Sequence, residues 1–173
     1  MHQKKQERFL KLYKGVHDRF ERFCRARACG DMPYEDLMNE SLMIAFQKID
    51  HLEKESSFLP FLIGISRRLL ANHRRKNKVI AAPDEKMLQN YADPEDQLNR
   101  KFNVAFLHQA LAFLPEAQKE ALILFEITGF SIKEIAQLQN SSEAAVKQRL
   151  SRGRKGLAVI VKNKLLLKTR GAL

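Results

Sequence analysis

The stretch FSIKEIAQLQNSSEAAVKQRLSRGRKGLA, Phe130 to Ala158, constrains the fold more than any other part of the chain: it describes two amphipathic helices separated by one break. Ser131 followed three residues later by Glu134 is a capping box, and Ile132, Ile135, Ala136 and Leu138 fall at helical spacing behind it. Gln139-Asn140-Ser141-Ser142 interrupts the pattern, because Asn tolerates a left-handed backbone and Ser141 or Ser142 can cap the helix that follows. In that second helix Val146, Leu150, Gly153 and Leu157 share one side. Ala144, Ala145, Gln148, Ser151, Arg152 and Lys155 lie roughly opposite, with Lys147, Arg149 and Arg154 on the flanks.

A basic helix face can be merely solvated. Helix, tight turn and second helix together, however, have the shape of a helix-turn-helix, whose second helix enters the major groove of DNA. Small residues at its start permit close approach, Gln and Arg read base edges, and Lys and Arg hold phosphates.

The rest of the chain is consistent with helices throughout. Its 173 residues are 45% apolar, with seven Gly and five Pro, and β-branched alternation is scarce, so an all-α fold is expected. The net charge of +11 favours a polyanionic partner. Residues 1–79 carry 17 basic and 10 acidic side chains, residues 80–99 carry 1 and 5, and residues 100–173 carry 13 and 5. Two basic helical domains, 1–79 and 100–173, are therefore expected on either side of an acidic linker, 80–99, which contains Pro83 and Pro94. The linker's acidity either keeps it soluble or suits a basic channel on a partner.

No apolar run approaches the roughly 18 residues that span a bilayer, and the amino terminus lacks a hydrophobic signal core, so a cytoplasmic protein with no membrane insertion is expected. Cys24 and Cys29 read as reduced, structural thiols. The five histidines form no ligand-spaced group with them, so neither a metal nor another cofactor is expected.

In the amino-terminal half, DMPYEDLMNESLMIAFQKIDHL reads as a strongly amphipathic helix. Leu37, Ser41, Ile44 and Lys48 follow one row, and Met38, Leu42, Ala45 and Ile49 a more apolar one. Asp36, Asn39, Glu40 and Gln47 are left on a polar side that is either solvated or used. The next stretch, EKESSFLPFLIGISRRLLANHRRKNK, runs from a polar loop into an apolar helix ending in cations. Phe58 and Phe61 beside that loop are either core rings or stacking platforms for unpaired bases.

These stretches, in this order, resemble the extracytoplasmic-function sigma factors of bacterial RNA polymerase over nearly the whole chain. CGDMPYEDLMNESLMIAFQKI resembles the family's clamp-binding helix, and FLPFLIGISRRLLANHRR its helix for recognising and melting the minus-ten element. The stretch from Ala110 to Ala158, with Leu114-Pro115 and Glu134-Ile135-Ala136, is similar to its carboxy-terminal domain. The resemblance implies a sigma-2-like domain over 1–79 and a sigma-4-like domain over 100–173. It also implies core RNA polymerase and promoter DNA as partners, with an anti-sigma factor as an inhibitory one.

Carried over by position, the resemblance assigns Asp36, Asn39, Glu40 and Phe46 to the polymerase contact. Lys54, Ser56, Ser57 and Phe58 would line the loop that captures a flipped base, with Arg67, Arg68, Asn72, Arg74 and Arg75 beside the minus-ten strand. Lys147, Gln148, Arg149, Arg152, Arg154 and Lys155 would face the minus-thirty-five element. The chain departs from the family in having no Trp, with Phe61 where one is common and Arg68 where Asn is usual. Ala144-Ala145 replaces a common Gly-Thr, Asn140 the usual turn Gly, and Gln139 a usually apolar residue.

Two other functions fit less of the chain. A helix-turn-helix regulator acting without polymerase leaves residues 31–78 unexplained. An enzyme acting on nucleic acid needs a carboxylate cluster or a His-based acid/base pair. Asp36 and Glu40 share a helix face with no further partner evident, so no catalytic residue is expected.

Overall fold

The computed structural model describes residues 2–28, 32–77 and 106–170, and every regular element among them is helical. The expected linker, 80–99, lies outside the described residues, as does Cys29. The chain divides into two compact units, the first over Met1–Asp84 and Ile127–Gly129 and the second over Glu85–Glu126 and Phe130–Leu173.

In the first unit three helices, α1 (His2–Arg27), α2 (Tyr34–Lys48) and α3 (Phe58–Asn77), pack on one another. Helix α1 is the element that the sequence reading passed over. Phe9, Tyr13, Val16, Phe20, Phe23 and Cys24 recur at intervals of three and four residues within it, the spacing of a buried helical stripe. Phe9, Phe20, Phe23 and Cys24 are buried. Burying each Phe stabilises the unit by about 1.5–3 kcal/mol.

Leu37 and Ala45 from α2, Ile49 just past its end, and Leu59, Leu62, Ile63 and Leu70 from α3 complete the core. One polar contact is built into it. The buried Ser41 and Ser66 hydroxyls lie 2.7 Å apart across the α2–α3 seam, and each is also within hydrogen-bonding distance of a carbonyl in its own helix, Leu37 and Leu62, so that one hydroxyl donates across the seam while the other donates to its carbonyl. Each hydroxyl proton has an acceptor, so burying the pair costs little.

Two short 3-10 turns, Ile49–His51 and Glu55–Ser57, carry the chain from α2 to α3. They are tied to α1 from outside the core. Lys5 Nζ lies 2.6 Å from Asp50 Oδ2 and also donates to the Gln47 carbonyl, while Arg8 donates to the Leu52 carbonyl. The Lys5 hydrogen bond, more than the surrounding charge, holds the Asp50 carboxyl below its ordinary range.

The second unit contains α4 (106–112), α5 (Glu116–Leu122), α6 (Ile132–Leu138) and α7 (Glu143–Arg170). Pro115 starts α5, where a missing N–H costs nothing, and the helix widens into a π-turn over Ile123–Ile127. Helix α7 packs on both α5 and α6, around Leu122, Ile123, Leu124, Ile135, Val146 and Leu150. It runs well past Ala158 as one continuous helix.

Candidate nucleic-acid interface

The helix-turn-helix forms as its sequence requires. The Ser131 hydroxyl accepts from the Glu134 N–H at 3.3 Å, and the Glu134 carboxylate accepts from the Ser131 N–H at 2.8 Å, closing the capping box. Asn140 takes a φ of +46° and ends α6. Around it the Ser141 N–H donates to the Ala136 carbonyl and the Asn140 N–H to the Gln137 carbonyl, satisfying two carbonyls of the last turn of α6. Ser142 starts α7 by accepting from the Ala145 N–H at 3.2 Å.

Two glycines set how closely α7 approaches the helices beneath it. A methyl at Gly153 would lie 2.9 Å from Leu122 Cδ1, and one at Gly156 would lie 2.9 Å from Leu114 Cδ2. With its apolar side seated this closely, α7 exposes Ala144, Lys147, Gln148, Ser151, Arg152 and Lys155. The described geometry therefore brings four of the six expected minus-thirty-five residues, Lys147, Gln148, Arg152 and Lys155, onto one open face.

Arg149 and Arg154 depart from that set. Arg149 is half-buried, and its Nη1 donates to Gln139 Oε1 at 2.7 Å and to Ser141 Oγ at 2.8 Å. Gln139 Nε2 in turn donates to Glu120 Oε2 at 2.9 Å and to the Ala117 carbonyl at 3.2 Å. Arg154 forms a forked pair with Glu126, at 2.7 and 2.9 Å, with its guanidinium 5.5 Å from the centre of the Phe125 ring.

In the first unit, Asp36, Asn39 and Glu40 are exposed along α2. Met43, 65% exposed one turn further on, extends the same stripe; its spacing from Asp36 and Glu40 was the signal that sequence reasoning missed. Phe46 is half-buried instead. Its ring stands edge-on to Phe9 with centroids 5.3 Å apart, and Lys5 Nζ lies 5.6 Å from its centre.

Lys54, Ser56 and Ser57 line an exposed loop, and Arg68, Asn72 and Arg75 are exposed further along α3, with Arg67 and Arg74 half-buried among them. Arg75 donates to Asn72 Oδ1 at 3.3 Å. Phe58 requires a correction. At 1% exposure it is a core ring and presents no face for a base to stack on, while Phe61, one turn later, is half-exposed. Among the described residues, no group of three or more His, Cys, Asp or Glu could hold a metal ion, and no helix is long and apolar enough to cross a membrane.

Residues 12–79 match the family described as Sigma-70 region 2, and residues 107–157 match Sigma-70, region 4, together well over half of the chain. Among curated relatives, the ECF RNA polymerase sigma factor EcfG of Rhodopseudomonas palustris is 27% identical over 129 residues, covering 73% of this chain and 70% of the relative. The chain belongs to the extracytoplasmic-function sigma-70 family.

A second relative, described as Probable RNA polymerase sigma factor RfaY, of Xanthomonas campestris pv. campestris, is 33% identical over 141 residues. That match covers 76% of this sigma-70 family chain and about a third of RfaY. Two solved structures share the fold. CnrH in complex with the cytosolic domain of CnrY aligns with a TM-score of 0.66 at 18% identity, over 91% of this chain and 90% of CnrH. The sigma factor RpoE in complex with the anti-sigma factor NepR, from Bartonella quintana, aligns with a TM-score of 0.62 at 23% identity, over 94% and 98%. The expected family and all-α class are borne out.

Proposed function

We propose that this chain binds core RNA polymerase in the cytoplasm and directs promoter-specific initiation of transcription. The observation that carries this reading is the open face of α7, where Lys147, Gln148, Ser151, Arg152 and Lys155 stand together behind a capped turn, in a chain that also has a sigma region 2. A face that mixes an amide, a hydroxyl and guanidinium and ammonium groups suits both base edges and phosphates, and α7 would read the minus-thirty-five element with it.

Within the domain limits expected from sequence, 1–79 would contact polymerase and the minus-ten element, and 80–99 would link it to the upstream-reading domain, 100–173. Asp36, Asn39, Glu40 and Met43 would meet polymerase. Arg67, Arg68, Asn72, Arg74 and Arg75, with Lys54, Ser56 and Ser57 of the loop, would hold the melted strand. The complex of RpoE with NepR supports an anti-sigma factor as a further partner. The test is run-off transcription from genomic promoters with matched core polymerase, alongside a pull-down of that polymerase. Specific transcripts that appear only when the chain is added are expected. DNA binding without polymerase binding would overturn the reading.

A further inference from the structure

We infer that Gln139 is a positioning residue for promoter specificity: it holds Arg149 back from DNA, leaving sequence discrimination to Gln148 and Arg152. This rests on the reading of α7 as the upstream-element helix. The supporting observation is a continuous hydrogen-bonded chain, Arg149 to Gln139 to Glu120, that runs from the flank of α7 through the turn to α5.

Both ends of the Gln139 amide are engaged, and in the polar sense that suits them. Its oxygen accepts from the Arg149 cation at 2.7 Å, and its nitrogen donates to the buried Glu120 carboxylate at 2.9 Å. Charge assistance at each end makes these stronger than ordinary amide hydrogen bonds, and the amide dipole lies between a cation and an anion that favour its orientation. Ser141 Oγ, at 2.8 Å, is a second acceptor for the same Arg149 nitrogen. The two bonds of that nitrogen thus tie the guanidinium to residues of the turn.

An apolar residue at 139 would remove one of the two acceptors of the Arg149 nitrogen and the donor for Glu120 together, leaving Arg149 the Ser141 hydroxyl, a neutral acceptor. The guanidinium, on a long flexible stem flanking the open face, would then exchange the Ser141 hydroxyl for the nearest phosphate, a charged acceptor. Phosphate contacts strengthen binding to every sequence alike and steepen its dependence on salt. The intact chain of bonds therefore favours discrimination over general affinity.

The experiment uses the full chain assembled with core RNA polymerase, titrated onto promoters with single substitutions in the upstream element at several salt concentrations. Gln139→Leu should steepen the salt slope by about one and reduce discrimination among upstream variants by about tenfold. Arg149→Met in the wild-type background should leave the salt slope unchanged, and the Gln139→Leu/Arg149→Met double variant should return it to the wild-type value.

A wild-type slope for Gln139→Leu overturns the inference, as does a slope lowered by about one in Arg149→Met alone, which would mean that Arg149 already contacts phosphate. If circular dichroism finds Gln139→Leu unfolded, the Arg149→Met slope decides by itself. A wild-type complex that fails to form, or that binds all upstream variants alike, is a failure of the functional reading and not of this inference.

Discussion

The Phe58 ring meets Phe9 edge-on, with centroids 5.5 Å apart and planes at 90°, and this pair joins the start of α3 to α1. A buried T-shaped pair adds to the area that each ring removes from water. Phe58→Ala should therefore destabilise the first unit by about 3–5 kcal/mol. Phe61→Ala, at a half-exposed site, should cost well under half as much. Denaturant titration of the two variants checks the order, and equal losses would place Phe61 in the core as well.

Cys24 is fully buried beside Ser66, and its thiol is pushed up to about 12, first by burial and then by the Glu21 charge, with a hydrogen bond to Ser66 partly opposing the rise. In a Cys29→Ser background the native protein should resist alkylation at neutral pH and be labelled only on unfolding. The unfolded thiol ionises near pH 9 and the folded one near pH 12, so the unfolded state holds fewer protons in that window. The thiol's contribution to stability is complete below pH 9 and is lost as pH rises toward 12. A Cys24→Ala variant should accordingly lose less stability than its parent between pH 8 and pH 10.5.

Much of the second unit was legible in the sequence because its signals are local. The Ser131–Glu134 box, the left-handed Asn140 and the split of α7 into apolar and cationic sides need no knowledge of the rest of the fold. The fate of Arg149 was not legible. Its partners Gln139 and Ser141 are near in sequence, but what makes Gln139 an acceptor for it is Glu120, on another helix. Phe58 was assigned to the base-capturing loop for a similar reason: the three-residue spacing of Phe58 and Phe61 fits either role, and only α1, whose Phe9 covers Phe58, decides which ring turns inward.

Asp36 and Glu40 stand one turn apart on an exposed, acidic stretch of α2, and carboxylates so placed act at long range on a basic partner surface. Reversing both to Lys should weaken the complex with core polymerase severalfold, mainly by slowing association, and the difference should shrink as salt rises. Surface plasmon resonance at two ionic strengths measures this. Unchanged association would place the polymerase contact elsewhere.

Ser131→Ala removes the acceptor for the Glu134 N–H and loosens the reciprocal bond at the start of α6. The expected cost is about 1 kcal/mol. Because α6 has only seven residues, it has few hydrogen bonds of its own to absorb that loss. Amide exchange in 132–138 should accelerate, while exchange in α3 stays as it was.

Gly153 and Gly64 both lie inside helices, and replacing each with Ala should have opposite effects. Helix propensity alone favours Ala over Gly by about 1 kcal/mol at either site. At Gly64 an added methyl meets nothing within 4 Å, so Gly64→Ala should stabilise the first unit by about 0.5–1 kcal/mol. At Gly153 the methyl would lie 2.9 Å from Leu122 Cδ1 and 3.2 Å from Leu122 Cγ, and Leu122 is itself buried in the α5–α7 seam with little room to move. Overpacking of this kind costs about 1–3 kcal/mol, enough to outweigh the propensity gain. Relief by displacement of α7 would tilt the face that carries Gln148 and Arg152, so Gly153→Ala should lose upstream-element discrimination along with stability. Thermal melting and promoter titration of the two variants test both statements. A Gly153→Ala protein as stable and as selective as wild type would mean that α7 tolerates a wider seam, and that the close approach does not set its docking geometry.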